Sequence, residues 1–166
     1  MTEHLRARRT PRALAFVLVA LLAAGCTGTA ELRATTTGTI APTTKEVLGQ
    51  YPSPNAPGYT QYLMRVTIQP GVKLATHHHP GTQVSRITAG ELHYTLVSGS
   101  AQVARQGAEK PTEDVEAPSE IVLQGGDTVY EVESLVHYGE NKGTVPVVVE
   151  MNALLKSDEP TTINES

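Results

Sequence analysis

Between residues 62 and 155 apolar and polar positions alternate in short runs, and no part of that span repeats apolar residues at the three- to four-residue spacing of a helix. The runs are Tyr62 to Ile68, Val72 to Thr76, Gln83 to Thr88, Glu91 to Val97, Ala101 to Ala104, Glu120 to Leu123, Thr128 to Val132 and Val145 to Leu155. Turn formers separate them: Pro70-Gly71, Pro80-Gly81, Ala89-Gly90, Ser98-Gly99-Ser100 and Gly125-Gly126. Many short strands closed by Gly and Pro predict an all-β domain, a sandwich or a barrel. Pro52, Pro54 and Pro57 with Gly58 form a turn-rich approach to the first run, and the folded domain is expected to span residues 45–157. The acidic, Pro-containing stretch from Glu109 to Glu116 reads as a solvated loop, and residues 158–166 as a disordered tail.

The pattern before residue 45 is different. Arg6, Arg8, Arg9 and Arg12 precede an apolar run from Ala13 to Gly25 that is too short to span a bilayer comfortably. This is the layout of an export signal, residues 1–25. Ala23-Ala24-Gly25-Cys26 resembles a bacterial lipoprotein box, which implies that Cys26 is lipidated and becomes the first mature residue. Two or more acyl chains there would anchor the protein stably at the cell envelope, so membrane contact is expected through the lipid alone. Residues 26–44, rich in Thr, Ala and Gly, suit a flexible tether.

Cys26 is the sole cysteine, which excludes an internal disulfide. Removing residues 1–25 takes four arginines and one glutamate from the 13 basic and 17 acidic residues, leaving nine against sixteen. The exported domain is acidic and carries no basic cluster or aromatic stacking platform, which argues against a nucleic-acid partner.

The candidate chemistry lies in the histidines. His77 and His79 are one residue apart on an extended stretch, so both face one way, about 7 Å apart along the backbone, while His78 faces the other. Two imidazoles so placed can converge on one ion. His137 follows far downstream, after Gly125-Gly126-Asp127. His78 and His93 read as ordinary surface histidines. His93 and Tyr94 point to opposite faces of one strand, so at most one lines an interior. Glu131 and Glu133 flank the turn at Val132, and both are expected to be solvated, although an inward one could supply a carboxylate.

The intervals resemble the two motifs of the cupin family. Gly71 is followed by five residues, His77-x-His79, three residues, Gln83, six residues and Gly90; Gly126 is followed by ten residues, His137, three residues and Asn141. The resemblance covers roughly Tyr62 to Leu155 and implies a double-stranded β-helix, or jelly-roll barrel, with metal ligands at His77, His79, Gln83 and His137. It also carries over Gly71, Gly90, Gly126 and Asn141 as motif positions that are not ligands. The chain departs from the family at Gln83, where a glutamate is usual, and at Val132 and Ser134, where proline and glycine are common. An amide oxygen is a neutral, weaker ligand with no useful proton affinity. Three imidazoles suit Fe, Zn, Cu or Ni better than Mg or Ca. Two functions follow as expectations: a metal-dependent, dioxygenase-like enzyme acting on a small organic molecule, or a non-catalytic module that captures a small ligand or metal. Pairing of two copies into a homodimer is a further expectation of the resemblance.

Overall fold

The computed structural model describes residues 41–166; the expected export signal, Cys26 and most of the expected tether lie outside the described residues. Twelve strands follow in order: β1 (Thr43–Pro52), β2 (Tyr59–Ile68), β3 (His77–His78), β4 (Gly81–Ala89), β5 (Glu91–Ser98), β6 (Ser100–Ala104), β7 (Glu113–Glu116), β8 (Ser119–Gln124), β9 (Thr128–Glu131), β10 (Val136–Glu140), β11 (Val147–Lys156) and β12 (Ile163–Asn164). They form a seven-stranded sheet, β1-β2-β11-β4-β9-β6-β7, and a five-stranded sheet, β12-β3-β10-β5-β8. All pairings are antiparallel, and the crossovers between the sheets give the jelly roll that the motifs implied.

Alternation decides which side chains enter the space between the sheets. On β4, Gln83, Ser85 and Ile87 are buried while Val84 and Arg86 are exposed. On β5, Leu92, Tyr94 and Leu96 turn inward, and on β11, Val147, Val149, Ala153 and Leu155 do so. Ile68, Val103, Leu123 and Val129 complete an aliphatic core. Burying one such side chain contributes roughly 1.5–3 kcal/mol, so the two sheets are held chiefly by these faces. Close backbone packing is tightest at Gly81, where a Cβ would lie 2.2 Å from the Leu154 carbonyl oxygen of β11. The buried Asn141 serves as a clamp: its amide donates to the carbonyls of Ile68 and Val145, both at 2.9 Å, and its side-chain oxygen accepts from the Gly143 amide at 3.0 Å.

The strands differ from the expected ones in five places. Strand β1 precedes the expected start and begins at Thr43; its residues are nearly all exposed, so no apolar alternation announces it. Val72 to Thr76 is not a strand but a loop with one bridge from Lys73 to Glu140. The acidic stretch that read as a loop contains β7, an edge strand needing only Val115 inside, with Arg105 paired to Glu113 at 2.6 Å. Strand β10 carries His137 and was not among the expected runs, because Gly139 and two half-buried polar residues blur its pattern. The terminal segment that read as disordered carries β12, paired with β3.

Candidate metal centre

His77 and His137 are direct partners across β3 and β10 in the five-stranded sheet. Gln83 and Glu131 are direct partners across β4 and β9 in the seven-stranded sheet. The two pairs meet in the interior, one from each sheet. His79, just past β3, completes the cluster, and Pro80-Gly81 then carries the chain to the other sheet. Gln83 therefore stands on the sheet opposite the His77 strand.

The three histidines are each less than a tenth exposed. Their ring centroids are 4.4–5.5 Å apart, and one nitrogen from each lies within 4.8 Å of the others. Two ligands of one ion at about 2.1 Å can be at most about 4.2 Å apart, so sub-ångström shifts close the set around a single ion. The outer nitrogens fix the tautomers. His77 Nδ1–H donates to the Ala75 carbonyl at 2.8 Å and His79 Nδ1–H to the Thr161 carbonyl at 2.7 Å, because a carbonyl can only accept. Their Nε2 lone pairs are left for the interior. His137 Nδ1 has no partner of hydrogen-bond geometry among the described residues, the Leu135 carbonyl acting on it only weakly.

Burial keeps the His79 and His137 rings uncharged. It lowers the His79 pKa to about 4, against the opposing pull of Glu131, and that of His137 to about 3, with His77 adding to the depression. Neutral imidazoles with inward lone pairs are what a divalent transition metal requires. The donor set fits such an ion.

Glu131 is buried at 4% exposure, contrary to the expectation that it is solvated; its neighbour Glu133 is exposed and pairs with Lys156 at 2.6 Å. Inside, Gln83 Nε2 donates to Glu131 Oε2 at 2.6 Å. That oxygen lies 3.6 Å from His137 Nε2 and 3.8 Å from His79 Nε2. Burial raises the Glu131 pKa, while His79 and the bond from Gln83 oppose the rise. Of His93 and Tyr94, the tyrosine is inside, 5.0 Å from the His137 ring. Burial, followed by the proximity of Glu131, raises its pKa, although its hydroxyl does not reach hydrogen-bond geometry with that carboxyl. His93 faces outward to Glu120 at 2.9 Å and His78 to Glu165 at 2.6 Å.

These groups open on a cavity of about 390 Å³ whose walls are mainly apolar, including Met64, Ile87, Leu92 and Met151. The buried Gln83 Oε1, Ser85 Oγ and Tyr94 hydroxyl have no hydrogen-bond partner among the described residues. Thr162 and Asn164 of the C-terminal segment line the same cavity. Sequence reading had no reason to place that segment at the site, since its contributions are a backbone carbonyl and a short ladder.

No family model and no curated protein matches the chain. The solved structures to which it is similar include cupin superfamily proteins. A cupin 2 domain-containing protein from Halorhodospira halophila superposes with a TM-score of 0.49 at 16% identity, over 78% of this chain and 76% of that one. A cupin superfamily protein from Desulfitobacterium hafniense gives 0.48 at 13% identity, over 68% and 77%. An oxalate oxidase in complex with the substrate analogue glycolate gives 0.49 at 18% identity, over 80% of this chain but 59% of that one, so this chain spans less than two thirds of its length.

Proposed function

We propose that His77, His79 and His137 hold one divalent transition metal, Fe, Zn, Cu or Ni, and that the adjoining cavity takes a small organic molecule on which the site performs dioxygenase-like chemistry. The observation that carries this reading is the convergence of three buried imidazoles, two of them with their outer N–H tied to a backbone carbonyl. When bound, such an ion supplies Lewis acidity and, if redox-active, electron transfer. The chain's own groups define the rest. Met64, Ile87, Leu92 and Met151 keep water from the apolar body of a ligand. Ser85 Oγ and the Tyr94 hydroxyl are free to bond its polar atoms, since a buried hydroxyl left unpaired costs about 1–3 kcal/mol. The favoured substrate is therefore largely apolar with a polar head directed at the histidines.

The test is anaerobic loading of the domain with Fe(II), followed by oxygen uptake in the presence of small aromatic and thiol compounds. Oxygen consumed in step with one compound supports the reading. A ligand that raises the melting temperature without being consumed makes the domain a capture module, and turnover excludes that alternative. On the same proposal the domain works at the cell envelope, tethered by lipid on Cys26; the support is the apolar run that ends at Ala23-Ala24-Gly25-Cys26. Labelled fatty acid incorporated into the parent chain but not into a Cys26→Ala variant is the expected result, and equal labelling contradicts it.

A further inference from the structure

We infer that Glu131 is the carboxylate ligand of this metal site, donated from β9 in place of the acid that the first motif lacks at Gln83. The inference rests on the metal reading above. Glu131 and Gln83 stand directly opposite each other on antiparallel β9 and β4, on the face that looks into the barrel. Side chains so paired are roughly 5 Å apart at their Cβ atoms, so exchanging acid and amide between the two strands keeps one carboxylate within reach of the same point.

Contacts around Glu131 indicate what belongs beside it. With His79 Nδ1–H committed to the Thr161 carbonyl, His79 Nε2 is a bare lone pair, and it faces Glu131 Oε2 at 3.8 Å. His137 Nε2 lies 3.6 Å from the same oxygen. Acceptors facing one another in a buried interior are stabilised by a cation between them. Two ligands of a tetrahedral ion at about 2.1 Å are about 3.4 Å apart, and both separations are within a few tenths of an ångström of that value.

Gln83 is the matching half of the arrangement. Its amide donates to Glu131 at 2.6 Å and so orients the carboxylate. A second acid in its place would set two carboxylates against each other. Gln83 is thus a positioning residue, and the departure from the motif at residue 83 is compensated one strand away rather than lost.

The experiment uses Co(II) as the probe, with the purified domain, Glu131→Gln and the exchanged double variant Gln83→Glu/Glu131→Gln. Affinity is read by chelator competition, ligand geometry by the visible d–d absorption, and folding by the melting temperature without metal. Loss of a group that only supports a ligand weakens metal binding about 10- to 100-fold, so Glu131→Gln is expected to bind at least about tenfold more weakly with an altered spectrum. The exchanged variant, which returns one acid to the pair, is expected to recover most of that affinity. If Glu131→Gln keeps both the parent affinity and the parent spectrum, Glu131 is not a ligand and the three-histidine reading stands alone. If the exchanged variant folds but binds no better than Glu131→Gln, the compensation between strands is wrong. A parent domain that binds no Co(II) removes the metal reading itself.

Discussion

Truncating the chain after Ser157 is expected to weaken metal binding even though it removes no proposed ligand side chain. Residues 158–166 hold strand β3 from its open side. The Thr161 carbonyl accepts the His79 Nδ1–H at 2.7 Å, the Glu165 amide donates to the Thr76 carbonyl at 2.9 Å, and β12 pairs Ile163 with His78 and Asn164 with His77. Each hydrogen bond contributes about 1 kcal/mol net, so the metal-free domain should lose roughly 2–3 kcal/mol, read as a lower urea midpoint. The functional loss has a separate origin. Without the Thr161 carbonyl the His79 ring is free to rotate and to exchange tautomers, and loss of such an outer partner lowers metal affinity about 10- to 100-fold. Chelator competition with Zn(II) on the truncated and parent domains measures it. Glu165→Gln is the control, because it removes only the exposed pair with His78, worth roughly 0–1 kcal/mol, and should leave affinity unchanged. A truncated domain that binds Zn(II) as tightly as the parent would refute the idea that this segment fixes His79.

Two further outcomes follow from buried polar groups. Asp127 accepts from the Gln106 amide at 2.9 Å, the Gln124 amide at 3.0 Å and Arg105 at 2.8 Å. Asp127→Ala should therefore cost about 3 kcal/mol in urea unfolding. Burial raises the Asp127 pKa, but the bonds from Gln124, Arg105 and Gln106 outweigh it, so the folded-state value is depressed. Its contribution is then present above the ordinary carboxylate range and lost as pH falls through it, a slope that the alanine variant should lack. The second outcome concerns the metal-free domain. Folded pKa values of about 4 for His79 and about 3 for His137 lie below the ordinary 6.5. The unfolded chain takes up protons first, so stability should fall as pH drops from about 6.5 toward 4. Melting temperatures across that range check it, and a His79→Gln/His137→Gln variant should show a shallower slope.

The parts of the fold legible in the sequence are those in which one face is buried. Strands β4, β5 and β11 alternate clearly because they cross the core, and turn formers bracket β4 and β5. The edges were not legible. Strands β1 and β7 pair along one side and bury little, so their composition follows solvent rather than core, and β12 is defined by its pairing with β3. The site shows the same division. His77 and His79 were placed on one face by parity alone, whereas Glu131 depends on phase and on where its strand stops: Glu133 has the same parity, but it lies past the end of β9 and is exposed. The missing signal was Val129, an apolar residue two positions earlier that marks the inward face of β9. Likewise Leu92 and Leu96 mark the face shared by Tyr94 and so exclude His93. Main-chain contributions such as the Thr161 carbonyl leave no trace in side-chain chemistry, which is why the role of the C-terminal segment emerged only from the structure.

On the proposed function this barrel holds a metal through His77, His79 and His137. This is tested most directly by elemental analysis of the domain from Thr27 onward, purified without a polyhistidine tag, beside the His77→Ala/His79→Ala double variant. Close to one iron, copper, nickel or zinc is expected per parent chain and almost none in the variant. A parent chain without metal even after reconstitution, or a variant that retains it, would contradict the claim.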